Sequence, residues 1–290
     1  MDDLKVEVIK FAQKLNSTNL SPLRSGNVSV RTKHNDVDGF LITPSGKKYE
    51  SLKPEDVVFL ALREKYDNLK MFNSGLNPSS EWRFHQDIYL KKDEAKAIVH
   101  AHSPHATAVS AHGEPIPAFH YMIALAGGVD IKCSEYATFG TSELSNNILK
   151  ALEKRKACLM SNHGQVAFGS TLKQAFELAE EVENICHQYI IALKIGNPKI
   201  LSWAEMNKIL DKIKHYKKIM LFYNVLFYPK FYSSLQMKES LVLQFLKQLC
   251  IDGKYFLLLV QVQKLVLNYF QMQPDRGLTL SMLFFFLMLY

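Results

Sequence analysis

The sequence contains few cysteines, and no two of them are spaced as C-x-x-C. Only four occur among its 290 residues, at Cys133, Cys158, Cys186 and Cys250. Small secreted domains that depend on disulfides carry cysteines at a much higher density. The wide spacing argues against a disulfide framework, and it predicts reduced thiols in a cytoplasmic protein.

The C-terminal part of the chain has no uncharged stretch long enough to cross a membrane. The longest one covers residues 277–290, whereas a spanning helix needs roughly 20 apolar residues. The N-terminal stretch MDDLKVEVIKFAQKL lacks the basic start and the cleavage site of a secretion signal. We therefore expect neither a membrane anchor nor a signal peptide.

Alanine and histidine are absent from residues 219–290, where leucine, phenylalanine and tyrosine dominate. Residues 1–218 have a more balanced composition. This change predicts a main domain, residues 1–218, followed by an apolar C-terminal extension, residues 219–290.

The positive charge of the chain is not concentrated in one region. The formal net charge is +7 at pH 7, but lysines and arginines are scattered and not interleaved with aromatic residues. A nucleic-acid-binding surface normally has a basic patch or stripe. We therefore expect no nucleic-acid partner, and the charge suits a small anion such as a phosphate ester.

Apolar periodicity predicts both helices and strands in the main domain. The predicted helices are residues 3–15, the segments NPSSEWRFHQDIYLKK and SPHATAVSAHG, and the long segment STLKQAFELAEEVENICHQYIIALKIG. The predicted strands are SGNVSVR, GFLITPSG, DVVFLAL, KAIVHAHS and CLMSNHGQVAFG, the last with an internal turn. Because strands and helices do not alternate strictly, we expect an α/β sandwich with much antiparallel pairing.

His100 and His102 lie two residues apart at the end of an apolar run that is typical of a buried strand. Residues i and i+2 of a strand share a face, so both imidazoles point the same way with Cα atoms about 6–7 Å apart. That separation suits two ligands of one Zn²⁺. It also suits two half-buried histidines that bond to the backbone, and the pair alone leaves both interpretations open.

Two further groups would complete a metal site if the fold brought them close. His163 stands in a turn just before Gly164, and Glu81 begins a helix after two serines. Three histidines with one carboxylate are typical of catalytic zinc, because a coordination position remains for water or substrate.

Seven motifs resemble the class II aldolase and adducin-head family, in the same order and with nearly the same spacing. They are SGNVSVR, LITPSG, PSSEWRFH, VHAHSPHATAVS, IPAFHYMIALAGG, YATFGTSELS and NHGQVAFG. The resemblance covers roughly residues 3–217 and is greatest to members that act on L-fuculose 1-phosphate. It implies a three-layer α/β fold, in which a central, mostly antiparallel sheet is flanked by helices on both faces.

The resemblance also implies roles for individual residues. His100, His102 and His163 would bind one Zn²⁺, and Glu81 would be both the fourth ligand and the catalytic base. Tyr121 would be the catalytic acid and would reach a neighbouring subunit's site in a homotetramer; without the resemblance, a core aromatic residue is the simpler interpretation. A C-terminal tyrosine would help cover the site, and Tyr216 is the candidate.

The implied phosphate pocket combines glycine-flanked backbone, small hydroxyls and a helix N-terminus, which together bind a phosphate dianion well. Each loop alone is more typical of an ordinary turn or helix cap. The residues of this pocket are Gly26, Asn27, Ser45, Gly46, Ser79 and Ser80.

The implied activity is cleavage of a ketose 1-phosphate, with L-fuculose 1-phosphate as the expected substrate, to dihydroxyacetone phosphate and L-lactaldehyde. The metal would act as a Lewis acid on the enediolate that forms. The alternatives are a pentulose-phosphate 4-epimerase, a methylthioribulose 1-phosphate dehydratase or aldolase, and a non-enzymatic scaffold domain. Glu81 disfavours the family's ribulose 5-phosphate epimerases, which carry aspartate there, and the three histidines disfavour the scaffold.

Overall fold

The computed structural model describes residues 1–22, 25–62, 71–72 and 75–227, without the side chains of 71–72 and 216–227. The chain divides into two units, Met1–Ile213 and Lys214–Tyr290. The first unit contains the motifs singled out above. Cys250, the side chain of Tyr216 and nearly all of the expected extension, residues 219–290, lie outside the described residues, so the predictions made for them stay predictions.

Six α-helices and eight strands form the described part of the chain. The helices are α1 (Asp2–Ser17), α2 (Trp82–Lys91), α3 (Pro104–Ser110), α4 (Ser142–Ala151), α5 (Leu172–Ile195) and α6 (Trp203–Phe227). The strands are β1 (Asn27–His34), β2 (Val37–Ile42), β3 (Val58–Ala61), β4 (Met71–Phe72), β5 (Ala97–Ala101), β6 (Cys133–Ser134), β7 (Ala157–Met160) and β8 (Gly164–Gly169). Short 3-10 helices cover Tyr49–Ser51, Pro54–Asp56 and Tyr121–Ala126.

The strands form one sheet in the order β4-β3-β2-β1-β5-β8-β7-β6. Neighbouring strands are antiparallel except β6 and β7, which are parallel. Strands β1 and β5 lie at the centre, where Asn27 pairs with His100. The predicted mostly antiparallel sheet is confirmed.

Strand β5 shows why helices cover both faces of this sheet. Successive side chains of a strand point to opposite faces. Accordingly, Ile98 packs in a cluster with residues of α2 and α4, whereas Ala97 and Val99 pack in a second cluster with residues of α1 and α5. A strand that is apolar on both faces must be covered twice, and the predicted three-layer arrangement is confirmed.

The segment CLMSNHGQVAFG, predicted as a strand with an internal turn, contains that turn between two separate strands. It forms two strands, β7 and β8, which pair as an antiparallel hairpin. Asn162 takes the left-handed conformation in the turn (φ 54°), which asparagine tolerates better than most residues. The three-residue connection therefore reverses the chain completely.

Four of the α-helices and strands had no counterpart among the predictions, namely α4, α6 and the two-residue strands β4 and β6. Helix α4 does carry a local signal, since the Thr141 hydroxyl oxygen accepts a hydrogen bond from the Leu144 backbone N–H and caps the helix.

Within the described residues no helix is long and apolar enough to span a membrane. Cys133, Cys158 and Cys186 are free thiols.

Gly39 of β2 allows a close approach to β3 that a larger residue would prevent. A Cβ atom at this position would lie 2.2 Å from Phe59 Cζ and 2.4 Å from the Leu60 carbonyl oxygen. We expect Gly39→Ala to lower the free energy of unfolding by about 1–3 kcal/mol, because the strands must separate. Denaturant unfolding measures this, with exposed Asp38→Ala as the control, expected to change it by less than about 0.5 kcal/mol. Equal effects of the two substitutions would contradict this packing.

Candidate metal centre and active site

His100 lies on the face of β5 that is turned toward α2, since it follows Ile98 by two residues. Its side chain is completely buried, and its Nδ1 lies 2.8 Å from the carbonyl oxygen of Gln165 on β8. A carbonyl only accepts, so Nδ1 carries the proton of this bond. The other ring nitrogen, Nε2, faces the remaining site residues. Such a backbone bond fixes the orientation of a metal-binding imidazole.

His102 and His163 arrive from two different loops beside His100. His102 follows the end of β5, and its Nε2 lies 3.0 Å from Nε2 of His100. His163 belongs to the β7–β8 turn, and its ring centroid lies 4.9 Å from that of His100 and 4.7 Å from that of His102. Gly164 makes this approach possible, because a Cβ there would lie 2.4 Å from the Ala101 carbonyl oxygen.

Glu81 stands at the N-cap of α2 and closes the group from the opposite side. Its Oε2 lies 3.1 Å from His100 Nε2, and its Oε1 lies 3.1 Å from His163 Nε2. Asn27 Nδ2 donates a hydrogen bond to Oε2 (3.0 Å). The helix N-terminus also favours a negative charge. Glu81 was predicted in the first turn of the helix and lies one residue before it.

The charges of this group shift its pKa values strongly. Burial opposes ionisation of Glu81, but His100 and His163 outweigh it and hold the pKa of the carboxyl far below its usual range. Burial lowers the pKa of His100, whereas the Glu81 carboxylate raises it, with a net increase. Burial and the charges of His100 and His163 lower the pKa of His102 to about 3. Glu81 is therefore an anion that faces basic nitrogens.

The donor set fits a divalent cation. One ligand atom from each of Glu81, His100, His102 and His163 lies within 4.8 Å of all the others. In a tetrahedral zinc site with ~2.1 Å bonds, ligand atoms are roughly 3.4 Å apart. Moreover, the buried Oε1 of Glu81 faces His163 Nε2 at 3.1 Å but forms no hydrogen bond of good geometry with the described residues. A buried anionic oxygen in this position beside three imidazoles is a suitable ligand for a metal ion.

Two loops of the predicted phosphate pocket are joined to each other, and one of them leads into Glu81. Backbone hydrogen bonds from Ser45 to Asn77 and from Ser79 to Thr43 join two of its loops. The Ser79 hydroxyl accepts a hydrogen bond from the Glu81 backbone N–H (3.3 Å), and Ser80 lines the cavity at the site.

The other residues of that pocket lie in different surroundings. Gly26 packs against the His100 carbonyl, and its own carbonyl accepts a hydrogen bond from the Tyr49 hydroxyl. Gly46 is exposed with a φ of 75°. Asn27 is engaged by Glu81, a contact that the sequence did not indicate.

Tyr121 is not brought together with the other predicted catalytic residues. It begins the 3-10 helix Tyr121–Ala126 and is 52% exposed. Among the described residues its ring lies beside His120, with 4.9 Å between centroids, and it does not line the cavity at Glu81. Its role toward a neighbouring subunit remains a prediction.

The cavity above Glu81 has a volume of about 320 Å³ and adds residues that the sequence reasoning missed. Tyr136 and Phe139 line it and are 62% and 64% exposed. Ser25 and Asn162 contribute polar groups. Tyr136 and Phe139 belong to the motif YATFGTSELS, whose periodicity does not indicate that its aromatic residues border the site.

His85 was missed as well. It is completely buried one helical turn after Glu81, and its Nε2 lies 2.5 Å from Asn27 Oδ1. The spacing of four residues between Glu81 and His85 was a usable signal, because such residues share one face of a helix.

Known proteins are similar to this chain in sequence and in fold. Residues 6–190 match the family described as Class II Aldolase and Adducin N-terminal domain. A protein of Rhodospirillum rubrum named 5-methylthioribulose-1-phosphate/5-deoxyribulose-1-phosphate aldolase is 46% identical over 213 residues, which cover 73% of this chain and 92% of that protein. A protein of Escherichia coli named L-fuculose phosphate aldolase is 43% identical over 211 residues, which cover 72% of this chain and 94% of that protein.

A solved structure of an L-fuculose 1-phosphate aldolase superimposes with a TM-score of 0.68 at 40% identity. The match covers 73% of this chain and 96% of that chain. The likeness thus extends to nearly the whole length of these proteins.

The metal centre makes a direct prediction for binding. We expect the protein to bind one divalent cation per chain and His102→Ala to weaken the binding of Zn²⁺ by more than about 100-fold, because a ligand and not merely its support is removed. Calorimetric titration with Zn²⁺ alone measures this. His112→Ala, at an exposed histidine away from the group, is the control and should leave the affinity unchanged. Equal affinity of the two variants would refute the assignment.

Proposed function

The chain belongs to the class II aldolase and adducin N-terminal domain family, and we propose that it is a metal-dependent aldolase that cleaves a ketose 1-phosphate between C3 and C4. The products are dihydroxyacetone phosphate and an aldehyde. The observation that carries this proposal is the convergence of Glu81 with His100, His102 and His163 beside an open cavity. The family resemblance expected from the sequence is confirmed.

The three imidazoles and Glu81 would hold the metal ion, which we propose is Zn²⁺. Three imidazoles also accept other divalent transition metals. When bound, the ion supplies Lewis-acid stabilisation of the negative charge that develops on the substrate oxygens as the carbon–carbon bond breaks.

Glu81 is proposed to move the proton at C3. In the synthetic direction its carboxylate accepts the C3 proton of dihydroxyacetone phosphate, and in cleavage it returns that proton to C3. A carboxyl pKa far below the usual range makes a weak base. Glu81 therefore becomes an effective base only when substrate binding separates it from the metal centre and leaves it in surroundings that raise its pKa.

The remaining roles concern orientation and the second proton. Tyr121, contributed by a neighbouring subunit of a homotetramer, would take the C4 hydroxyl proton in cleavage and return it in synthesis. Its exposure leaves the phenol available to another chain. The phosphate would be bound at Gly26, Ser45, Gly46, Ser79 and Ser80, next to Asn27.

We propose L-fuculose 1-phosphate as the substrate and a 5-deoxy or 5-methylthio pentulose 1-phosphate as the second candidate. All of them yield dihydroxyacetone phosphate and differ only in the aldehyde. Two observations favour the second candidate, namely the name of the Rhodospirillum rubrum relative and the aromatic side chains of Tyr136 and Phe139 at the cavity. An apolar aldehyde chain would find apolar contacts there.

Product analysis tests the reaction and ranks the substrates. With zinc-loaded protein we expect L-fuculose 1-phosphate and 5-methylthioribulose 1-phosphate both to release dihydroxyacetone phosphate, which a coupled assay detects, with the physiological substrate showing the higher kcat/KM. Accumulation of a C4 epimer without aldehyde would identify an epimerase. Loss of water with the carbon skeleton intact would identify a dehydratase, and either result would refute the aldolase.

A substitution at Glu81 tests the proposed base. We expect Glu81→Gln to retain the metal, held by three histidines, and to lower turnover by about 10²–10⁴-fold, because an amide does not accept the C3 proton. Exchange of the C3 hydrogen of dihydroxyacetone phosphate with solvent should fall in parallel. Glu143→Gln, at an exposed position of α4, serves as control. Exchange at the wild-type rate in Glu81→Gln would remove Glu81 from the mechanism.

A further inference from the structure

A stripe of polar residues on α2 faces a stripe of polar residues on β1 beneath the metal centre. Glu81, His85 and Tyr89 are four residues apart and therefore share one face of the helix. Asn27 and Ser29 alternate along the strand and share one of its faces. Four helical residues rise about 6 Å and two strand residues about 6.6 Å, so the two stripes stay in step.

Each side chain of one stripe bonds to side chains of the other. Asn27 Nδ2 donates to Glu81 Oε2 (3.0 Å), and Asn27 Oδ1 lies 2.5 Å from His85 Nε2. Ser29 Oγ lies 2.7 Å from His85 Nδ1 and 2.7 Å from the Tyr89 hydroxyl oxygen. The result is one continuous chain of hydrogen bonds from Tyr89 to Glu81.

The chain of bonds is shut off from solvent. Ser29, His85 and Tyr89 have no exposed surface, and Asn27 is 3% exposed. Burial lowers the pKa of His85 to about 3, helped by the nearby charge of His100, so its imidazole is neutral. A neutral imidazole has one N–H and one unprotonated nitrogen, and the surrounding groups decide which is which.

The direction of every bond follows from Glu81. An ionised carboxylate only accepts, so Asn27 must present its NH₂ group to it and its carbonyl oxygen to His85. That oxygen needs a donor, so His85 carries its proton on Nε2. The unprotonated Nδ1 then accepts from the Ser29 hydroxyl, and the Ser29 oxygen accepts from the Tyr89 hydroxyl.

We propose that His85 is a positioning residue for Glu81, which as the neutral Nε2–H tautomer locks the Asn27 amide with its NH₂ group toward the carboxylate. A locked amide holds Glu81 in one place and orientation. Without the His85 donor, the buried Asn27 oxygen would lose its partner, and the contact with Glu81 alone would hold the amide. The catalytic consequence rests on the proposed function of Glu81, whereas the tautomer and the amide orientation do not.

The tautomer is measurable without any assay of activity. In protein labelled with ¹⁵N-histidine, two-bond ¹H–¹⁵N spectra distinguish the protonated from the unprotonated ring nitrogen, and the His85 signals are identified by their loss in His85→Gln. We expect the Nε2–H form alone in the wild type. An Nδ1–H form, or a doubly protonated ring at neutral pH, would overturn the proposal whatever the enzyme's substrate.

Matched variants at His85 test the catalytic consequence. His85→Gln keeps an N–H donor near the position of Nε2, whereas His85→Leu fills the space without one. We expect His85→Leu to lower kcat about ten-fold with KM and metal content little changed, and His85→Gln to recover most of that loss. Equal kcat values for the two folded variants would show that His85 only fills space.

Substitutions farther along the chain of bonds keep the test decisive if His85→Leu does not fold. Ser29→Ala removes the donor to Nδ1, so a second tautomer should become visible and kcat should fall. Tyr89→Phe removes only the bond beyond Ser29, so it should leave the tautomer and kcat close to those of the wild type. A single Nε2–H tautomer and unchanged kcat in Ser29→Ala would contradict the proposed direction.

Discussion

The buried carboxylate of Glu81 is the constraint on which the rest of the site depends. A lone ionised carboxylate that is 6% exposed would be far too costly to retain in an apolar interior. Its charge is stabilised from three directions, by His100 of the central strand, by His163 of the β7–β8 turn and by Asn27 at the start of β1. These groups come from distant parts of the sequence, so the buried carboxylate keeps its charge only when the fold brings all three of them to it.

The register of the sheet places these groups with little freedom. Asn27 pairs directly with His100 across β1 and β5, and β8 pairs with β5 on its other side. A shift of one residue in the pairing register of β5 would turn the His100 side chain to the face of the sheet that α1 and α5 cover. The imidazole would then lie among apolar residues and away from Glu81. The same alternation that buries Ile98 against α2 therefore also aims His100 at the N-terminus of α2.

Much of this arrangement could be predicted from the sequence, because the signals were local. The alternation in AIVHAH indicated a strand with two histidines on one face, and the cap before EWRFH indicated a helix that begins near Glu81. The sequence also indicated the turn at Asn162. It did not indicate that this turn joins two paired strands, since a short apolar run does not show where pairing begins. The surroundings of Asn27 were hidden for a different reason: its partners, Glu81 and His85, are more than fifty residues away, and no local pattern reports such a contact.

The polar contact between α2 and β1 shows how two different periodicities cooperate at a buried interface. Apolar residues of α2, such as Phe84 and Ile88, pack into the cluster on this face of the sheet, while Glu81, His85 and Tyr89 form a polar stripe beside them. A half-satisfied polar stripe would destabilise the core more than an apolar one, because each buried group left without a partner loses its hydration. The near-equal rise of four helical and two strand residues lets each group meet a partner in turn. Spacing of four on a helix opposite spacing of two on a strand is therefore a pattern that can be sought in a sequence, and here it leads from a buried tyrosine to the carboxylate at the metal centre.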